Sequence, residues 1–313
     1  MVAAMLLAGV ARAGAPDSLA TRPPPDTLLE RRGLAAGVGP QLIEPSGLAV
    51  DAFGRLTVVD AGAPRISRYS ADGAWLDETG ALGSDLGELR RPSSAATLGT
   101  QGTAVLDGEN RRIVVYDLFG RLNSTLVDLS APALEDQVGG RIDAISIASD
   151  RGGALYVAEA GRDRILVFDF SGRYLRALGG YGSKPGSFRG IAGLSTAPRG
   201  QLLVTERGGA RFQALDAGGR VVTAWELPLR PGRGLVPVAV DDSSRVAVAD
   251  ELSGTLWVFD RGGRVRALRR DLAGPRALAF APDGALWVAE ASGGRVRRLM
   301  LAARTDSTTA AGE

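Results

Sequence analysis

The sequence predicts an all-β chain, a six-bladed β-propeller of four-stranded antiparallel blades whose ring is closed by an N-terminal strand. Three observations carry the prediction. First, an apolar inner-strand segment recurs six times, starting at Gly47, Ser94, Ala144, Gly193, Pro237 and Ala277, so that successive copies lie 47, 50, 49, 44 and 40 residues apart. A period of that length holding several short strands is the pattern of propeller blades. Second, the strand after each copy ends in an acid: Asp60, Asp107, Glu159, Glu206, Asp250 and Glu290. Five residues later stand Arg65, Arg112, Arg164, Arg211, Thr255 and Arg295, so an acid–base pair recurs at one spacing in five of six units. Third, 43 glycines and 5% aromatics in 313 residues suit many short strands and tight turns, not long helices.

The clearest copy of the unit is residues 154–182, ALYVAEAGRDRILVFDFSGRYLRALGGYG. Two β-forming runs, 154–159 and 164–168, are separated by four residues that include Gly161, which is hairpin spacing. Glu159 and Arg164 therefore face each other across two antiparallel strands, where an opposite-charge pair contributes about 0.2–1 kcal/mol. Its recurrence in the other units makes the pair a hairpin fastener.

Taken in order, the chain opens on residues 1–13, MVAAMLLAGVARA, an apolar core followed by the A-x-A-like site Ala11-Arg12-Ala13. This reads as a secretory signal peptide, and the run is too short for a membrane span. Residues 14–26, with prolines at 23–25, read as an extended linker. The six units then fill a single domain ending at 301. The last unit has three strands, at 276–280, 285–290 and 295–301, and lacks an outer fourth. Residues 27–32, TLLERR, supply it, pairing the two ends of the chain and leaving no large open edge. Residues 302–313 read as a disordered polar tail.

Composition narrows the chemistry. The net charge is +2 with acids and bases interspersed, so no nucleic-acid-scale basic field arises and no nucleic-acid partner is expected. The absence of cysteine removes disulfides, thiolate chemistry and cysteine-bound zinc. The absence of histidine removes the commonest metal ligand and the commonest general base at neutral pH. Neither a G-x-S-x-G elbow on a strand–helix turn nor a phosphate-binding G-x-x-x-x-G-K-[ST] is present. No catalysis and no cofactor are expected. Six strand-end acids around a channel mouth could hold a hard cation, but five have a cross-strand arginine. Asp250 is then the one metal candidate.

The segments EPSGLAVD, ALYVAEAGRDRILVFD and GALWVAEASGGRVRRL resemble the NHL repeat. Its pattern is P-x-G-[IL]-A-V-D, then G-x-L-[YW]-V-[AS]-[DE], a short loop, and R-I-x-V-F-D. The resemblance covers residues 42–300; units 2 and 4 match less well in their first strands, and unit 5 lacks the arginine. It implies an NHL-type six-bladed propeller of the exported bacterial kind. Among enzymes with related repeats, amidating lyases and streptogramin-lyase-like propellers work through histidine, which this chain lacks. Gluconolactonase-like propellers use a Glu, an Asn and an Asp around a divalent ion. Glu44 resembles the first, but Asn110 and Asn123, on a tight loop and near an outer strand, do not suit the second.

The two faces of such a ring differ. Turns at 51–54, 71–73, 170–172, 217–219 and 281–284 are short, and their Gly and Asp residues serve turn geometry. The opposite face carries the long connections 80–91, 128–141, 179–190 and 228–234, where binding residues are expected. Candidate contacts there are Arg162, Tyr181, Lys184, Phe188, Arg230 and Arg233. The alternative is that Tyr181 and Phe188 cover the seam between blades and that the bases are merely solvated. A second basic group, Arg261, Arg264, Arg266, Arg269, Arg270 and Arg276 against Asp271 alone, reads either as an aggregation-resistant edge or as an attachment to an anionic surface. The leading expectation is an exported, non-catalytic scaffold engaging a protein partner or envelope component through the long-loop face. A glycan or small ligand at the mouth is the second reading, and a divergent metal-dependent hydrolase or lyase the third.

Overall fold

Six antiparallel sheets of four strands, in sequence order within each of the first five, make up the computed structural model, which describes residues 26–31, 33–34, 39–99, 101–197 and 199–303. From the axis outward, blade 3 is Ala144–Ser149, Leu155–Glu159, Arg164–Phe168 and Tyr174–Gly179. The other blades repeat this order, with inner strands Pro45–Val50, Pro92–Thr97, Ile191–Thr196, Val238–Val240 and Pro275–Phe280. The expected all-β six-bladed propeller is therefore the fold observed.

The strands are short and apolar on both faces because each blade is sandwiched between two others. Leu155 and Val157 pack toward blade 2, while Tyr156 and Ala158, between them in sequence, pack toward blade 4. Continuous burial along the second strands follows from this two-sided covering rather than from one-sided alternation. Among the described residues the apolar core falls into six clusters, one at each seam between neighbouring blades.

Blade 6 takes its outer strand from the other end of the chain. Asp26–Arg31 runs antiparallel to Arg295–Ala303, in register from Asp26 opposite Ala303 to Arg31 opposite Arg298, with Leu28 buried between blades 5 and 6. The strand lies one residue earlier than expected, and Arg32 is outside the described residues. So are the expected signal peptide, the linker before Asp26 and the tail beyond 303; Ala302 and Ala303, expected in the tail, instead continue the third strand because they pair with Thr27 and Asp26.

Short turns close one face by a repeated device. Asp51, Asp117, Asp169, Asp216 and Asp260 open turns of the form D-x-x-G-R, and each carboxylate accepts main-chain N–H groups two and four residues on. The long connections are less uneven than the sequence suggests. Residues 80–91 and 180–190 share one geometry, with matching parallel bridges Leu82–Leu89 and Tyr181–Phe188. The connection after blade 2 holds a short helix, Pro132–Val138, where only a loop was expected; Pro132 opens it and Gly139, at φ +82°, ends it. No helix among the described residues is long and apolar enough to cross a membrane.

Candidate partner-binding face

The strand-end acids sit where the second strand turns into the third, on the long-loop side. Each pairs in register with its arginine: Asp60 with Arg65, Asp107 with Arg112, Glu159 with Arg164, Glu206 with Arg211 and Glu290 with Arg295. The carboxylates are fully buried, so the pairs are more than surface fasteners. Arg112 also donates to the carbonyls of Ser84, Asp85 and Glu88, and Arg211 to those of Ser183 and Ser187. The acids in turn accept main-chain N–H groups from the incoming connection, Arg90 to Asp107 at 2.7 Å and Arg189 to Glu206 at 2.8 Å. Each acid–arginine pair thus ties the long connection down onto its blade. At Asp60 the arginine is distant, at 3.8 Å, and the N–H groups of Ile43 and Glu44 do the holding at 2.9 and 2.8 Å.

These acids do not ring the channel, contrary to expectation. They lie one strand outward, and the channel is lined by inner-strand residues, among them Ser46, Ser93, Ser94, Ser146 and Arg276. Its cavity is about 60 Å³, room for a few waters and far below the ~300 Å³ of a small-molecule site. Arg276 stands at its long-loop mouth between Glu44 and Glu251, its Nε 2.8 Å from Glu251. Burial works against the charge of Arg276, but the hydrogen bond and proximity of Glu251, with Glu44 behind it, raise its pKa above the ordinary value.

Asp250 is not an uncommitted ligand. Thr255, opposite it in register, carries no charge, but Arg207 of blade 4 reaches across the seam and donates from Nη2 to its Oδ1 at 2.5 Å. Among the described residues no group of three or more acids is placed to hold a metal ion.

The six candidate contacts separate. Phe188 is fully buried at the seam of blades 3 and 4. A Cβ on Gly179, at φ +79°, would stand 2.1 Å from its ring, so glycine is required there. Arg162 is committed to Glu159 at 2.6 Å and to the carbonyls of Gly139 and Arg141, where it fastens the end of the short helix. Tyr181, Lys184, Arg230 and Arg233 are exposed on the long-loop face. Sequence reading missed Leu82, Leu86 and Leu252, which are exposed on the same face, and Arg91, Arg141 and Arg189, exposed at the lead-ins to three inner strands. The signal for Leu82 was present: GALGSDLGELR and GGYGSKPGSFR put Leu82 and Tyr181 at one position of a shared motif.

Half of the second basic group is neutralised, while Arg261, Arg264 and Arg270 stay exposed. Arg266 pairs with Asp26 at 3.0 Å, Arg269 with Glu30 at 3.2 Å and with Asp271 at 2.6 Å, and Arg276 with the two glutamates. The closing strand brings two of these acids, which lie some 240 residues away in sequence.

No protein-family model and no curated protein matches the chain. Solved structures share its fold. A streptogramin B lyase is 13% identical, with a TM-score of 0.60 over 88% of this chain and 98% of that one. A catalytically inactive histidine-to-alanine variant of virginiamycin B lyase from Staphylococcus aureus, with quinupristin, is 17% identical, with a TM-score of 0.57 over 91% and 90%. A protein of unknown function from Bacteroides thetaiotaomicron is 14% identical, with a TM-score of 0.62 over 88% and 76%. At these identities the likeness is one of fold.

Proposed function

We propose that this protein is a non-catalytic, exported binding propeller of NHL type whose long-loop face engages a protein partner. The carrying observation is that Leu82, Leu86 and Tyr181 are exposed on connections that Arg112 and Arg211 hold rigid. Apolar and aromatic side chains offered from a pre-organised surface lose little freedom on binding, and Tyr and Arg are the residues that most often anchor interfaces. Arg189, Arg230 and Arg233 add solvent-facing charge on the connections into blades 4 and 5 of the same face. The NHL assignment rests on the repeated segments themselves, and export on the run at residues 1–13.

The lyases sharing the fold differ at one decisive point. A histidine is what the inactive lyase variant has lost, and this chain contains none. The narrow channel puts carbohydrate binding second, since a sugar could only lie across the mouth. The test is affinity capture from envelope extract with the wild-type chain and with a Leu82→Ser/Tyr181→Ser variant, followed by re-binding of each purified protein captured. A partner retained by the wild type and lost by the variant is expected. Equal retention by both overturns the reading.

A further inference from the structure

Three phenylalanines stand exposed on the opposite, short-turn face: Phe53, Phe119 and Phe170, at 71%, 70% and 67%. They occupy turns of blades 1, 2 and 3. Turn geometry does not ask for them. Where Phe53 and Phe119 stand, turns of the same form carry Gly152, Gly218 and Gly262; where Phe170 stands they carry Ala217 and Arg261. The bonds that close these turns use main-chain N–H groups and the Asp carboxylates, so any side chain would serve. Three large apolar groups presented separately on one face, with no role in turn geometry, suit insertion into an interfacial layer rather than one packed protein contact.

The charge around them has a direction. Arg173 and Arg220 lie outermost, 77% and 86% exposed, while the partnering Asp169 and Asp216 are recessed at 19% and 33%. The guanidinium of Arg55 lies 5.2 Å from the Phe53 ring centre. Aromatic rings with cations at their rim fit the boundary between acyl chains and phosphate headgroups.

We infer that the short-turn face is a lipid-contacting surface. Phe53, Phe119 and Phe170 enter the interfacial layer of an anionic bilayer, the arginines meet its phosphates, and the long-loop face is left pointing away from the membrane. The test is flotation of the full chain with vesicles of phosphatidylcholine and phosphatidylglycerol. Wild type is expected to float. The Phe53→Ser/Phe119→Ser/Phe170→Ser variant should bind at least about tenfold more weakly with an unchanged melting temperature, because the apolar area entering the bilayer is lost. Leu82→Ser/Tyr181→Ser should bind as wild type does. Three results would overturn the inference: a wild-type chain that stays with the aqueous fraction; a triple variant that floats as the wild type does; or a wild-type dimer in sedimentation that the triple variant dissolves, which makes the face a contact between two copies.

Discussion

Arg207 of blade 4 and Asp250 of blade 5 form an ion pair across the seam between their blades, with only 2% and 6% of their side chains exposed. Arg207 also donates to the carbonyls of Gly234 and Leu235, so one guanidinium fastens the lead-in to blade 5 as well as its strand-end acid. Burial pushes the Asp250 carboxyl up, but hydrogen bonds from Arg207, Ser253 and the N–H of Leu252 outweigh it and hold the pKa below the ordinary value. The blade without its own arginine borrows one from its neighbour.

Removing one partner of such a pair leaves a buried charge without its counter-ion. Arg207→Met is expected to cost about 3–5 kcal/mol in urea unfolding, and Arg207→Met/Asp250→Asn to recover much of it, because the stranded carboxylate is then gone. A single variant as stable as wild type would show that water compensates Asp250.

Acid should weaken the ring at its closure. Arg297 donates to Glu30 of the closing strand at 2.6 Å and to Asp271 at 3.1 Å. Asp271 is held well below the usual carboxylate range by Arg269 and then Arg297, and Glu30 is lowered by Arg297. Both groups bind fewer protons folded than unfolded. Their contribution is therefore present above unfolded values of about 3.9 and 4.3, and is lost as pH falls below these toward the folded values. Unfolding midpoints for wild type should drop between about pH 5 and 2, and Arg297→Met should flatten that drop. Both acids are half exposed, so added salt should shrink the difference. Parallel pH profiles for the two proteins would count against this network.

Clamping of the long connection can be read locally. Arg211→Met removes the bonds to Ser183 and Ser187 together with the partner of Glu206, and a cost of about 1.5–3 kcal/mol is expected, as for hydrogen bonds to charged groups. Amide exchange at Gly182 and Phe188 should speed up more than in the strands of blade 3. Uniform exchange across both regions would mean that the connection is held by Phe188 packing alone.

Much of this architecture was legible in the residues because propeller blades are locally encoded. The period of the inner strands, the fixed step from Glu159 to Arg164 and the D-x-x-G turns each involve neighbours in one hairpin, so spacing alone reports them. The closing strand was legible for a related reason: a ring with a three-stranded last blade has one free edge, and one unassigned β-forming segment remained. What each side chain does there depended on tertiary structure. Phe188 and Tyr181 stand seven residues apart in one loop, yet one is wholly buried and the other exposed, because blade 4 covers only the first. Asp250 looked unpaired because its partner lies 43 residues back, on another blade. Arg266 and Arg269 looked like part of a basic patch, but Asp26 and Glu30 come to them from the far end of the chain. Solvation and charge pairing are set by whatever packs against a residue, and in a closed ring that neighbour is remote in sequence.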